Sequence, residues 1–421
     1  MNTTKNNQPW LTILYPWIIW AIGASFFFYK YLVQVSPSVM TTDLMKAFHI
    51  HGAGLGNLSA FYFYAYLMMQ IPVGILLDKY SPRFLTSIAI LVCAISTLIF
   101  SQTNSLWLAC IARAFMGAGA AFAAVSCFKL ATVWFPPKRF ALVSGLCMTV
   151  AMLGAISGQA PLSLLVQTFD WRMALEIISF LGIILGLLYF LIVEDKSEKN
   201  SSQNNYKLFP QLIFIIKNKQ AWLLSIYSGL AFAPVSVFGG LWGVPYLETV
   251  HQLTPTQAAF AISWIFIGFA IGAPIFGWLS DFIGQRKPLL FLGTFIALIC
   301  LLPTLYISNQ NLLTLSLFLF FFGFGASGFF ASFAMIREIF PIMLAATVLG
   351  FMNTFDSICE ALSEPLVGAF LDLTWQGKVI NGVHQFSINS YHSALLVLPI
   401  YLITALATLF FIEETYCKPK M

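Results

Sequence analysis

Charge is what this chain has least of. Asp, Glu, Lys and Arg make up 9% of its 421 residues, against 59% hydrophobic ones, and the mean hydropathy is +0.84. A water-soluble domain needs about a quarter of its residues charged to clothe its surface. A soluble enzyme and a nucleic-acid-binding protein are therefore excluded, and lipid must replace water around most of the chain. Histidine is equally sparse: His49, His51, His251, His384 and His392 all fall in or beside outward-facing loops, and none makes a case for chemistry, external pH sensing being the alternative to a plain loop position. The seven cysteines are scattered, nearly all within apolar runs, with no CxxC pair and no histidine nearby. That removes a disulfide framework and a metal site. There is no phosphate-cradling glycine–lysine loop and no nucleophile–base pair, so neither an ATP-driven pump nor a hydrolase is expected, and no cofactor. The polar start Met1 to Pro9 leads into a stretch too long and too aromatic for a cleaved signal peptide, so the first span is expected to persist as a helix.

What is abundant is long apolar runs. A membrane span needs about 20 mostly apolar residues in helical form, because lipid offers backbone groups no other partner. Twelve runs qualify: about 15–37, 54–77, 84–101, 106–130, 140–166 and 173–193, then 221–246, 257–280, 288–307, 311–335, 343–370 and 392–412. The longest polar stretch separates the two sets. The expected organisation is a bundle over 1–193, a cytoplasmic linker over 194–220 carrying a short interfacial helix at Tyr206 to Ile216, and a second bundle over 221–421. With both termini cytoplasmic, fifteen Lys and Arg fall on that side and only Lys46, Arg172 and Lys378 on the other. This bias supports an even span count and places both ends inside.

The two sets also repeat one another. Gly74-Ile-Leu-Leu-Asp78-Lys-Tyr-Ser-Pro-Arg83 has a counterpart in Gly277-Trp-Leu-Ser-Asp281-Phe-Ile-Gly-Gln-Arg286-Lys287, and the two glycines lie as far apart as the two aspartates. Arg113-Ala-Phe-Met-Gly117-Ala-Gly119-Ala-Ala121 is matched in the same order by Gly323-Phe-Gly325-Ala-Ser-Gly328. Glycines so spaced let helices pack closely.

The paired turns resemble the signature of the major facilitator superfamily. Gly74, Asp78, Lys79 and Arg83 match the first copy, with Ser81-Pro82 in place of its glycine. Gly277, Asp281, Gly284, Arg286 and Lys287 match the second, with Phe282 where a basic residue is usual. Arg113, Gly117, Gly119 and Ala121 look like the family's span-four motif, and Gly154 and Gly158 with Pro161 like its span-five motif. Tyr29 to Pro37 and Phe238 to Tyr246 resemble a bacterial subgroup related to organic-anion, sugar-phosphate and lysosomal dipeptide carriers. The resemblance implies an all-α membrane fold of twelve helices in two pseudo-symmetric six-helix bundles, rocking about a central cavity. In that scheme Gly74, Asp78, Arg83, Gly277, Asp281 and Arg286 form conformational latches at the cytoplasmic helix ends, and Arg113 serves proton coupling.

An ionisable side chain at membrane depth costs at least about 2.5–3.5 kcal/mol and is a functional candidate for that reason. Asp356, Glu360 and Glu364 sit at i, i+4 and i+8, one face of a helix climbing about 6 Å per step. A buried carboxylate that loads a proton on one side and unloads it on the other is what a proton-driven carrier needs. Lys30 stands among Phe26, Phe27, Phe28, Tyr29 and Tyr31, a setting that suits a carboxylate-bearing solute or a permanent pair with Asp356 or Glu360. Lys129 reads as a side chain reaching the inner headgroups. Gln34, Tyr62, Tyr66, Gln70, Gln159, Tyr227, Trp242, Trp264 and Asn353 complete the expected cavity lining. The leading expectation is a monomeric carrier in a bacterial inner membrane, importing a small organic anion with protons. A dipeptide or other zwitterion as solute, or an uncoupled facilitator or exchanger, is the alternative.

Overall fold

The computed structural model describes residues 9–194, 213–341, 344–380 and 382–418, and most of what it describes is helix. In chain order the long helical stretches are α1 (Leu14–Val39), α2 (Gly52–Lys79), α3 (Pro82–Gln102), α4 (Leu106–Trp134), α5 (Leu142–Phe169), α6 (Trp171–Ile192), α7 (Lys219–Val250), α8 (Pro255–Ile283), α9 (Lys287–Tyr306), α10 (Leu312–Ile339), α11 (Ala345–Leu373) and α12 (Ile388–Leu409). Among the described residues, ten of these helices are long and apolar enough to cross a membrane. With 28 and 29 residues, α2 and α11 match the others in length. Their ends fall within a few residues of those expected from hydropathy. Of the expected interfacial helix, residues 206–212 lie outside the described residues, while 213–216 are helical.

Local chemistry explains where the helices start and stop. Ser81, Asp170, Asn218, Thr254 and Asn311 each accept a backbone N–H at the head of the helix that follows, the usual work of an N-cap. Thr254 and Gln257 form a reciprocal capping box, with Pro255 at the first helical position. Gly284 closes α8 with φ +72°, a left-handed conformation that costs glycine nothing. Pro234 removes one backbone donor from α7, and four residues later the helix widens into a π-turn at Phe238–Trp242 before running on to Val250, beyond the expected end at 246.

The glycine pattern shows how the helices pack. A Cβ on Gly117 of α4 would collide with the carbonyl of Tyr62 on α2, and one on Gly323 of α10 with the carbonyl of Ile265 on α8. The same contact is thus built twice. Each crossing is followed by a break in its helix, at Ala121 in α4 and at Ser327–Phe329 in α10. At the end of the molecule away from the charged turns, α2 and α11 touch backbone to backbone, Gly52 against Gly368. At the end that carries those turns four glycines face open space. A Cβ on Gly74, Gly145, Gly277 or Gly350 would meet nothing within 4 Å. Trp107, Leu191, Phe282 and Leu313, each at least 70% exposed, belong to an outward apolar belt far too large for a water-facing surface. A two-strand hairpin, β1 (Val379–Ile380) against β2 (Val383–His384), caps the segment between α11 and α12.

If these crossings hold the helices together, filling them is costly and filling the open positions is not. Gly323→Leu is expected to lower stability by about 1–3 kcal/mol through overpacking. Gly277→Ala should leave it unchanged or slightly raised. Thermal melting of the two purified variants in detergent checks this, and equal losses in both would contradict it.

Candidate functional site

The charged residues that lipid cannot tolerate meet in the middle of the molecule. Lys30 on α1 is 5% exposed, and its Nζ stands 3.7 Å from the ring centroid of Tyr31 and 5.1 Å from that of Tyr66 on α2. Two aromatic faces thus offer the ammonium the electrostatic support that lipid denies it. Opposite, α11 presents Asp356, Glu360 and Glu364, all buried rather than turned to lipid. Lys30 and Glu360 are electrostatic neighbours, but no carboxylate oxygen among the described residues comes within 4.0 Å of Nζ. The cation is held open rather than closed into an ion pair.

A second cation repeats this arrangement. Arg113 on α4 is 1% exposed; its NH1 donates to the Val33 carbonyl at 3.2 Å, while Nε and NH2 have no hydrogen-bond partner among the described residues. Its guanidinium lies 5.1 Å from the Tyr62 ring, and Tyr62 stacks on Tyr66 with centroids 6.2 Å apart and planes 9° from parallel. Two stacked tyrosines therefore bridge the two buried cations. Glu364 is the acidic neighbour of Arg113. One oxygen each of Glu360 and Glu364 is buried without a hydrogen-bond partner among the described residues. A buried polar atom of this kind calls for a partner beyond the described residues.

Serines of facing helices support the acids. Ser228 of α7 donates to Asp356 Oδ1 at 2.6 Å, and Ser236 of α7 and Ser59 of α2 stand beside Glu360 and Glu364. Nothing in the sequence distinguishes these serines from the many others in the spans, and they were not expected. Gln34 has a buried, unpartnered Oε1 and lines a small cavity with Tyr31, Phe232, Ser236 and Phe269. Asn353 Nδ2 donates to Gln70 Oε1 at 3.4 Å, joining α11 to α2. A cavity of about 520 Å3 lies toward the charged turns, walled by Phe128, Met148, Met152, Phe269 and Phe330, and shares Met152 and Phe269 with the smaller one.

Other expected lining residues make contacts of their own. Tyr227 is fully buried, and its hydroxyl is engaged with Thr294 at 2.8 Å and with the Leu290 carbonyl on α9. Trp264 is packed between Phe260 and Phe320. Trp242 donates from Nε1 to the Glu364 carbonyl at 3.1 Å. Gln159 accepts from Ser38 at 3.2 Å and donates to the Gly239 carbonyl in the π-turn of α7 at 2.9 Å, bridging α5 to α7. Lys129 donates to the Leu77 carbonyl at the end of α2.

The charged turns are built differently in the two copies. In the second, Arg286 NH1 bonds Asp281 at 2.6 Å and its NH2 bonds Glu338 of α10 at 3.0 Å. Glu414 accepts from the backbone N–H of Arg286 and Lys287, capping α9 where the helix dipole is positive. Glu338 and Glu414 had no signature of their own to reveal them. In the first copy Arg83 Nε donates to the Phe190 carbonyl at 2.6 Å and the guanidinium lies over the Phe190 ring. The side chains of Asp78 and Lys79 lie outside the described residues.

Comparison with known proteins agrees with this architecture. The Major Facilitator Superfamily profile matches residues 19–249 and 224–419. An uncharacterized transporter of Bacillus subtilis (strain 168) is 25% identical over 63% of this chain, and the match spans 65% of that relative's own length. The hexuronate transporter of the same organism is 22% identical over 82% of this chain and 85% of its own. Among solved structures, an inward-facing, occupied bacterial homologue of the human lysosomal transporter Spinster superposes with a TM-score of 0.77 at 16% identity, covering 94% of this chain and 97% of that one. The chain belongs to the Major Facilitator Superfamily, as a multi-pass membrane transporter and not an enzyme.

Proposed function

We propose that this carrier imports a small carboxylate-bearing organic anion together with protons, by alternating access of two bundles, residues 1–193 and 221–421, joined by the linker 194–220. The carrying observation is the open arrangement of Lys30: a buried cation on α1, cradled by Tyr31 and Tyr66, with Glu360 near but not paired. A solute carboxylate satisfies the cation and frees Glu360 to take a proton. When the solute leaves, Glu360 gives up the proton and again balances Lys30. Gln34 and Asn353 supply neutral hydrogen bonds to the solute, Arg113 and Glu364 form a second exchangeable pair, and Asp356 is steadied by Ser228. The close contact of α2 with α11 at one end supports a cycle in which the two ends open in turn.

Relatives support the solute class. They include the hexuronate transporter, an Escherichia coli D-galactonate transporter and a Salmonella phosphoglycerate transporter, all named for anions. The Lys and Arg asymmetry and the bacterial relatives support a cytoplasmic membrane with both chain ends inside, and each chain supplies both bundles, so a monomer suffices. A second reading rests on the acids themselves. Asp356 and Glu360 offer an anchor for an amine while Lys30 holds a carboxylate, as a dipeptide requires, and a Danio rerio relative is named a lysosomal dipeptide transporter.

Uptake into liposomes with an imposed inward proton gradient separates these readings, using hexuronate, galactonate, phosphoglycerate and dialanine as solutes. Accumulation of an anion is expected with the gradient and not without it. Lys30→Ala should weaken the apparent affinity for that solute by at least about tenfold, the equivalent of about 1.4 kcal/mol. Preferential uptake of dialanine would favour the second reading, and unchanged affinity in Lys30→Ala would remove the cation from the site.

Glu360→Gln is expected to abolish gradient-driven accumulation while retaining solute–solute exchange across the membrane, because exchange needs no net proton movement. Full accumulation by Glu360→Gln, and likewise by Asp356→Asn and Glu364→Gln, would contradict coupling through α11.

A further inference from the structure

The end of the molecule opposite the charged turns carries a contact that the transport cycle above leaves unassigned. Asp372, at the end of α11, accepts from the backbone N–H of Gly52 at 2.9 Å and of Ala53 at 2.8 Å, capping the start of α2. Gly52 is indispensable there, since a Cβ would run into Gly368. Beside the cap, three rings are stacked. His384 of the hairpin lies between Trp375, 3.7 Å away and 7° from parallel, and His51, 3.5 Å away and 3° from parallel. His384 Nδ1 stands 3.9 Å from Asp372 Oδ1. His51 precedes α2 and the other groups belong to α11 and its hairpin, so cap and stack together join the two helices that must part for this end to open.

We propose that the Asp372 cap and the His51–His384 stack form an acid-released clasp, which keeps this end of the carrier shut at neutral pH and frees it as the compartment it faces acidifies.

The chemistry sets the sign. A single charged imidazole in the stack is tolerated, because the Trp375 face and the Asp372 carboxylate both attract it. Two charged imidazoles at 3.5 Å repel each other. Burial lowers the pKa of His384, His51 lowers it further, and Asp372 opposes the change. A depressed pKa in the closed state means that the closed state gains from the neutral ring at high pH and loses that gain as pH falls through the histidine range, about 6.5 and below. The other charged and titratable groups here are Lys378, Glu248 and Tyr391, which with His384 line a cavity of about 550 Å3 that gives protons a route to the stack. The stack thus adds an acid-dependent step to opening. The inference rests on the alternating-access reading, but it concerns the gate rather than the solute.

The test is hydrogen exchange of the Gly52 and Ala53 amides, followed by mass spectrometry on the purified full-length protein without solute or gradient. Rates are corrected for the intrinsic effect of pH on exchange. Protection in the wild type is expected to fall about tenfold between about pH 7.5 and about pH 5.5. His51→Gln and His384→Gln, which each leave one imidazole, should keep their protection across that range, and Asp372→Asn should lose it at both values. Equal wild-type protection at the two pH values would overturn the clasp whatever the variants do, and so would a wild-type-like loss in either histidine variant. Because no transport is measured, the clasp can fail with proton-driven uptake intact, and the reverse.

Discussion

Everything in this molecule turns on two cations placed where lipid forbids them. Lys30 and Arg113 are almost wholly buried, yet neither is closed into an ion pair among the described residues. A permanent buried pair would have been the less costly arrangement, since it satisfies both partners at once. Here each cation rests instead on tyrosine faces, with an acid of α11 close enough to feel it and too far to neutralise it fully. Such a site is unfinished by construction. In the function proposed above, a solute anion completes it by taking the cation while the displaced acid takes up a proton.

The glycine crossings make that incompleteness usable. Where Gly117 meets Tyr62 and Gly323 meets Ile265, backbones touch without intervening side chains, so α2 with α4 and α8 with α10 are expected to move as units rather than slide. Motion is left to the surfaces between these units, α2 against α11 and α5 against α7. The polar contacts on those surfaces are few and breakable: Asn353 to Gln70, Gln159 to Gly239, and Asp372 to the start of α2. The strong ion pairs of Arg286 with Asp281 and Glu338 lie elsewhere, tying α8, α9 and α10 together at their charged ends.

Most of the fold was legible because its cause is compositional. Long apolar runs, N-cap residues and the duplicated Gly74 and Gly277 turns leave few arrangements open, and the spans fall close to where hydropathy put them. The charged members of the candidate site were visible for the same reason: Lys30, Arg113, Asp356, Glu360 and Glu364 stand out against an apolar background, and in the structure all are buried. Their neutral neighbours were not. No sequence pattern announces the bond of the Tyr227 hydroxyl to Thr294 of α9, and Ser228 looks like any span serine until it is seen on Asp356. Histidines read as loop residues hide a contact between positions over three hundred residues apart, because ring stacking leaves no periodicity in a sequence.

The central claim is that the solute carboxylate takes the place of Glu360 beside the cation of α1 while Glu360 takes up a proton. Calorimetry of solute binding in buffers of different ionisation enthalpy counts the protons taken up per anion bound. The account predicts net proton uptake by the wild type near neutral pH and none by Glu360→Gln. Binding with no proton exchanged in the wild type, or with the same number in Glu360→Gln, would contradict it.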